Sequence, residues 1–508
     1  MSDTDFDFSS ILSGGFVVFV GLAINLFLNY VIRLLFARYL SVDQFGLVSI
    51  VMATVNVVGL LSILGLDTGI GRYLPRFDDE SKRQDVLISA LQLAVPPGIL
   101  AGAVLYLLSG RIADRIFGIP ELGVLLAIAA VGTPFVGLTR LSIGTIQGQK
   151  RTLPKVLIEN ISTPVVQLVL MAGVVFYGLQ TVAVAWAYVG GFVFSGILGL
   201  IYIVSHVSLR EGRPTMRREL LSFSAPLIIT VAMGSILQYS DTLLLGGLRT
   251  ASEVGIYNVI YPLSQFMALF LTVFSYLIMP VVSELHSSDD LERANEYLRL
   301  TSKWILFLTF PLFITMFVYP TEIIQVTFGA KYTDGHLALA VLAVGFLIHS
   351  ILGPLGKGLT GIGRTDLIMY DNVGAATLNI VLNLLLIPRY GFLGAAIASV
   401  VAYVLNGVLF AYQIGSITGL QPVSTAALRV GTVSTLFAVV LHLALLGQFG
   451  SMNVQALVVV GLSTVFNTFV FVRYGEISSD ELEIVHTVEE RFGLDLAFVF
   501  RFVSLIRK

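Results

Sequence analysis

LIMYDNVGAATLNIVLNLLLI (367–387), then PRY (388–390), then GFLGAAIASVVAYVLNGVLFAYQIG (391–415): this stretch decides the fold. Each long run matches the roughly 20 apolar residues an α-helix needs to cross about 30 Å of hydrocarbon. Little more than Pro388 and Gly391 separates them, so the pair reads as a tight hairpin of membrane helices. The same criterion along the chain marks fourteen runs: 12–35, 46–66, 86–108, 122–143, 156–178, 181–205, 220–247, 254–283, 301–322, 336–355, 367–387, 391–415, 426–447 and 452–474. Composition agrees. Of 508 residues, 56% are hydrophobic and only 12% charged, against roughly 25% charged in soluble proteins. The mean hydropathy is +0.89. Such a chain has too little polar surface to cover a globule in water, so it is all-α and polytopic, with about fourteen transmembrane helices.

Thirty basic against 32 acidic residues leave no cationic excess for nucleic acid. With no cysteine, disulfides, thiolate metal sites and cysteine nucleophiles are excluded. The acidic start MSDTDFDFSS, with Arg33 as the first cation, does not fit a cleavable signal, so the first helix is expected to stay as an anchor. Of the 30 cations, 23 fall in the even-numbered loops and the tails, which places both termini in the cytoplasm. The longest connections, 72–85 and 284–300, are too short for a soluble catalytic domain. GKGLTG (356–361) satisfies G-x-G-x-x-G, but it follows a membrane helix instead of a strand, and neither a Walker motif nor HExxH is present.

The chain also resembles itself. GQKRT (148–152) matches GIGRT (361–365), and YGLQTVAVA (177–185) matches YGFLGAAIA (390–398), both 213 residues apart; QFGL (44–47) matches EVGI (253–256) at 209. Two pseudo-symmetric six-helix bundles are implied, 1–208 and 220–415, joined by a basic cytoplasmic linker at 209–219. Six is even, so both run in the same direction. Helices 13 and 14 (426–474) stand outside the repeat, and 475–508 reads as an amphipathic tail on the inner leaflet.

LGPLGKGLTGIGRTDLIMYDNVGAATLNIVLNLLLIPRYGFLGAAIAS (352–399) resembles the carboxyl-half signature of polysaccharide-biosynthesis flippases in the multidrug/oligosaccharidyl-lipid/polysaccharide exporter superfamily. Gly361, Arg364, Asn379, Asn383, Pro388, Gly391, Gly394, Ala395 and Ala396 carry the match, with support from RLLFARYLSVDQFGL (33–47), LGLDTGIGRY (64–73) and YSDTLLLGGLRTASEVGIY (239–257). The resemblance implies a transporter, not an enzyme: a flippase that carries a polyprenyl-phosphate-linked saccharide from the cytoplasmic to the outer face of the cell membrane by alternating access. It implies no cofactor, metal or nucleic acid. The partners expected are the lipid-linked saccharide, membrane lipid, and glycosyltransferases or a polymerase of the same pathway. A cation-coupled drug exporter of the same superfamily and a membrane glycosyltransferase or ligase are the alternatives; the latter needs acid and base residues on outer loops, which here are short and nearly uncharged.

A flippase must neutralise a phosphate inside a bundle, which calls for Arg or Lys at helix ends. The candidates are Arg72, Arg140, Lys357 and Arg364, Arg140 lying deepest. Lys150 and Arg151 are expected to be ordinary topology charges. Arg33 and Asp241 stand near the outer ends of helices 1 and 7 and form a candidate outer gate, the alternative being that each snorkels separately. Glu159 and Asp371, each followed by Asn at the start of helices 5 and 11, are candidates for ion coupling, although Lys155 four residues before Glu159 also predicts an interfacial ion pair. His349 and His442 are expected to be packing residues.

Overall fold

The structure, a computed structural model, describes residues 8–206, 213–419, 425–449 and 451–474. The expected amphipathic tail and positions 209–212 of the linker lie outside them. The described residues form helices and no strands. The chain runs through α1 (Phe8–Tyr39), α2 (Val42–Ser62), α3 (Leu66–Tyr73), α4 (Glu80–Ile112), α5 (Leu122–Gly148), α6 (Thr152–Val156), α7 (Thr163–Phe176) and α8 (Thr181–His206). It continues with α9 (Arg217–Leu248), α10 (Ala251–Gln265), α11 (Ala268–Ser287), α12 (Leu291–Val318), α13 (Pro320–Thr327) and α14 (His336–Gly361). Then come α15 (Thr365–Tyr390), α16 (Phe392–Thr418), α17 (Thr425–Ala444) and α18 (Met452–Tyr474). Two π-helical turns extend or interrupt these, Ala113–Phe117 after α4 and Leu157–Ser162 between α6 and α7.

Among the described residues, 13 helices are long and apolar enough to cross a membrane. The protein is a multi-pass helical membrane protein. The run expected at 220–247 lies on α9, which has 32 residues but is not one of the 13. The run expected at 254–283 is broken into α10 and α11. Pro262 sits inside α10 and donates no backbone hydrogen bond. Just beyond it the Phe266, Met267 and Leu269 amides each bond three residues back, at 3.2 Å, so the chain tightens and turns. Two segments expected as loops are largely helical. α4 begins at Glu80 because Asp79 accepts from the Ser81 amide at 3.0 Å, and α12 begins at Leu291 because Asp290 accepts from the Arg293 amide at 3.1 Å. Side-chain caps of this kind satisfy donors that a helix start leaves orphaned.

By internal contacts the chain divides into two compact units, Met1–Val259 with Ile380–Ala395, and Ile260–Asn379 with Ala396–Lys508. In the first, Ile63, Leu66, Ile70, Leu87, Leu141 and Leu220 form a buried cluster that gathers α3, α4, α5 and α9. In the second, Ile278, Leu298, Leu355, Leu359, Phe410 and Ile414 do the same for α11, α12, α14 and α16. The extra pair α17 and α18 docks on α12 through aromatic rings: the Trp304 and Phe307 centroids lie 5.1 and 4.4 Å from that of Phe471.

Two features of the first unit explain repeated sequence. Gly46 on α2 and Gly255 on α10 occupy matching places in QFGL and EVGI. A Cβ on Gly46 would overlap the Ala251 carbonyl oxygen, and one on Gly255 would overlap the Val42 carbonyl oxygen. The contact is reciprocal, since Val42 and Ala251 are also 209 apart; the starts of α2 and α10 cross backbone on backbone. The second feature is the α15–α16 turn. Gly391 has φ +56°, a left-handed conformation that favours glycine, and Glu253 reaches across to accept from the Phe392 amide at 3.2 Å while Arg249 holds its other oxygen at 2.8 Å. Glu253→Ala strips an acceptor from an amide at a helix start, and the midpoint of thermal unfolding in detergent should fall, corresponding to about 1–3 kcal/mol. An unchanged midpoint would show that water replaces the carboxylate there.

Candidate functional site

A polar column runs through the first unit, and its centre is the pair of helices α5 and α6–α7. Arg140 lies in the second half of α5, and Glu159 on the π-helical turn. Arg140 Nη1 is 3.6 Å from Glu159 Oε1, and Lys155 Nζ is 3.7 Å from Glu159 Oε2, with side-chain exposures of 40%, 23% and 28% for Arg140, Lys155 and Glu159. These groups are partly buried and open on one side. The local cause is the wide turn. A π turn inserts one extra residue and leaves carbonyls without their usual partners; here the Asn160 carbonyl accepts from Asn25 Nδ2 of α1 at 3.0 Å, and the Ile158 carbonyl from Ser162 Oγ at 2.9 Å. Ser162 Oγ also bonds Ser195 Oγ of α8 at 2.7 Å. Neighbouring helices thus hold the turn that presents Glu159.

The column continues through two tyrosines. The Tyr239 phenol of α9 lies within electrostatic reach of both Arg33 and Arg140, and Tyr188 of α8 within reach of Arg33 and Tyr239. Tyr188 Oη accepts from Asn56 Nδ2 at 3.0 Å. Arg140 and Lys155 therefore share the carboxylate of Glu159, and Arg33 lies further along beside the tyrosines; two cations on one carboxylate leave a positive excess able to hold an acidic group.

The remaining sequence candidates go elsewhere. Arg72, at the end of α3, lays its guanidinium over the Phe223 ring, 4.2 Å from the centroid. Arg364 forms a two-pronged contact with Asp366, both N···O distances 3.1 Å, and that carboxylate raises the Arg364 pKa further above its ordinary value. Lys357 is exposed on α14. Asp241 is buried, accepting from Tyr257 Oη and, at 2.6 Å, from Asn383 Nδ2 of α15. No ion pair among the described residues joins it to Arg33. In the second unit Asp371 is buried, Oδ1 accepting from Gln413 Nε2 of α16 at 2.9 Å, while Oδ2 is buried with no hydrogen-bond partner. His349 packs 4.7 Å from the Tyr403 ring, and His442 Nδ1 meets Tyr319 Oη at 2.8 Å.

The structure brings together Arg140 and Glu159, which the sequence assigned to different tasks. Tyr188, Tyr239 and Asn56 were not legible as site residues, because tyrosine and asparagine in apolar helices carry no spacing signal. Lys155 was legible, four residues before Glu159 on one helix face.

Comparisons with known proteins bear on the family and the fold. The family described as polysaccharide biosynthesis protein matches residues 11–286, and the MatE family matches 226–385. The probable low-salt glycan biosynthesis flippase Agl15 of Haloferax volcanii is 23% identical over 392 residues, 76% of this chain and 79% of that protein. In fold the chain is similar to a lipid II flippase MurJ in an inward closed conformation, with a TM-score of 0.73 at 15% identity over 91% of this chain and 98% of the other. It is also similar to an inward-facing multidrug resistance MATE family transporter, with a TM-score of 0.65 at 13% identity over 77% of this chain and 94% of the other.

Proposed function

We propose, starting from the fact that this chain belongs to the polysaccharide biosynthesis protein family, that it is a flippase for a polyprenyl-phosphate-linked saccharide. The cargo poses two opposed solvation problems: its head group cannot cross hydrocarbon, and its tail cannot leave it. The observation that carries the reading is the pair of cations, Arg140 and Lys155, on the one carboxylate of Glu159, with Arg33 beyond them beside Tyr239. Cations inside membrane helices are costly unless they meet an anion, and a phosphate or pyrophosphate with its charge-assisted acceptors is the fitting one. In this reading Arg140 is the principal phosphate ligand, Arg33 meets the head group further along, and the tyrosines offer hydroxyls to sugar or phosphate oxygens. Arg72, Lys357 and Arg364 serve capture from the cytoplasmic leaflet. Asp371, with a buried oxygen that has no donor, is the group for a coupling ion.

The direction is from the cytoplasmic to the outer face of the cell membrane, with both termini cytoplasmic, as the charge distribution supports. The sugar would be supplied by glycosyltransferases at the inner face and consumed by polymerising enzymes at the outer one. The tail lies along α17. An apolar cavity of about 330 Å³ bounded by Leu306 and Phe310 of α12, Leu347 and Ile351 of α14, and Leu428 and Gly431 of α17 supports that placement. Filling it by Gly431→Trp is expected to slow transport of long-tailed carriers several-fold while sparing short-tailed ones; equal slowing of both would remove the cavity from the tail path.

The test is reconstitution into proteoliposomes with a labelled polyprenyl-linked saccharide, scoring sugar that becomes reactive to a membrane-impermeant oxidant on the far side. Protein-dependent exposure is expected. Exposure no faster than in protein-free vesicles overturns the reading.

A further inference from the structure

Glu159 is an anion already seated between the cations that a lipid phosphate needs. We propose that it is a resident counter-anion which the incoming head group must displace, so that the site retains carriers whose sugar is joined through a pyrophosphate bridge, with one negative charge on each phosphorus, and rejects the singly charged phosphodiesters of bulk membrane lipid. The inference rests on the reading of the protein as a carrier of phosphate-linked lipid.

Geometry supplies the argument. Arg140 and Lys155 flank one carboxylate at 3.6 and 3.7 Å, beyond the 2.7–3.2 Å of an N–H···O hydrogen bond. The contact is ionic but not locked, and it leaves the guanidinium fork free for two-pronged contact with a phosphoryl group. The turn that carries Glu159 is π-helical over Leu157–Ser162, between α-helical segments on both sides. Return of that turn to α-helical pitch would shift its side chains around the helix axis, so the chain has a local route for withdrawing the carboxylate. Its clamp is the Asn25 hydrogen bond to the Asn160 carbonyl, which comes from α1, the helix that also carries Arg33.

Charge counting gives the selectivity. With the carboxylate in place the two cations are half compensated, and a monoanionic phosphodiester merely exchanges one negative charge for another. A pyrophosphate bridge brings two negative charges and four non-bridging oxygens, so it gains a further charge interaction and further acceptors. Glu159 thus sets a threshold against the far more abundant phospholipids. It acts on the cargo through the cations, and it is a specificity residue that is not itself a phosphate ligand.

The test uses the full-length protein in detergent, with farnesyl pyrophosphate as the probe and phosphatidylglycerol as the competitor. In Glu159→Gln the competitor is expected to gain about tenfold in potency relative to wild type, the equivalent of about one weak charge interaction, while farnesyl pyrophosphate affinity changes by less. Glu159→Asp, whose carboxylate is drawn back by one methylene, should fall between them, and it keeps the test decisive where the Gln variant does not fold. Competition that is the same in both variants as in wild type overturns the inference while leaving the transport reading intact. Failure of wild-type protein to bind the pyrophosphate probe sinks the transport reading itself and this inference with it.

Discussion

Arg140→Ala is expected to lower the initial rate of saccharide translocation about tenfold to a hundredfold, the loss of one hydrogen-bonded ion contact worth about 1.5–3 kcal/mol. The effect is large because Arg140 is the cation shared by the wide turn and the tyrosine end of the column. Removing it leaves Glu159 with Lys155 alone, which takes the charge at the inner half of the path from net positive to neutral. Arg140→Lys keeps the charge but gives up the planar fork, and it should retain an intermediate rate. Initial rates in proteoliposomes at matched insertion are the measurement, and an Ala variant within threefold of wild type would take Arg140 off the path.

The second large effect concerns stability. Gly46→Val forces a branched side chain into the Ala251 carbonyl, and Gly255→Val does the same against Val42. Backbone cannot rotate aside as a flexible side chain can, so each substitution should cost more than about 3 kcal/mol, above the usual range for overpacking. Since both act on one crossing, the double variant should cost clearly less than the two singles together. Thermal unfolding of the three variants checks this. Full additivity would mean that the two contacts yield independently.

Much of the helical framework was legible because apolar runs of membrane length are dictated by the bilayer. The hairpin at Pro388–Gly391 was readable for the same reason. The starts of α4 and α12 were not, since they are amphipathic extensions set by single caps at Asp79 and Asp290 that an apolar criterion passes over. The turn after Pro262 was missed because hydropathy does not fall there. In the site, Lys155 and Glu159 were joined by helical spacing, but Arg140 and Glu159 meet only because α5 packs beside a π turn, and nothing in local sequence announces that pitch. Asp241, Tyr257 and Asn383 show the same limit: the link between Asp241 and Asn383 closes over 142 positions, and side chains that meet at such separation leave no periodic trace.

The docking of α18 on α12 has a practical consequence. The chain has two tryptophans. Trp186 is 47% exposed on α8, whereas Trp304 packs edge-on against the rings of Phe307 and Phe471. Bromine-labelled lipid tails are therefore expected to quench the emission of Trp186 more strongly than that of the partly buried Trp304. What survives is a native optical reporter, needing no dye, for whether the accessory helices stay seated while the carrier works.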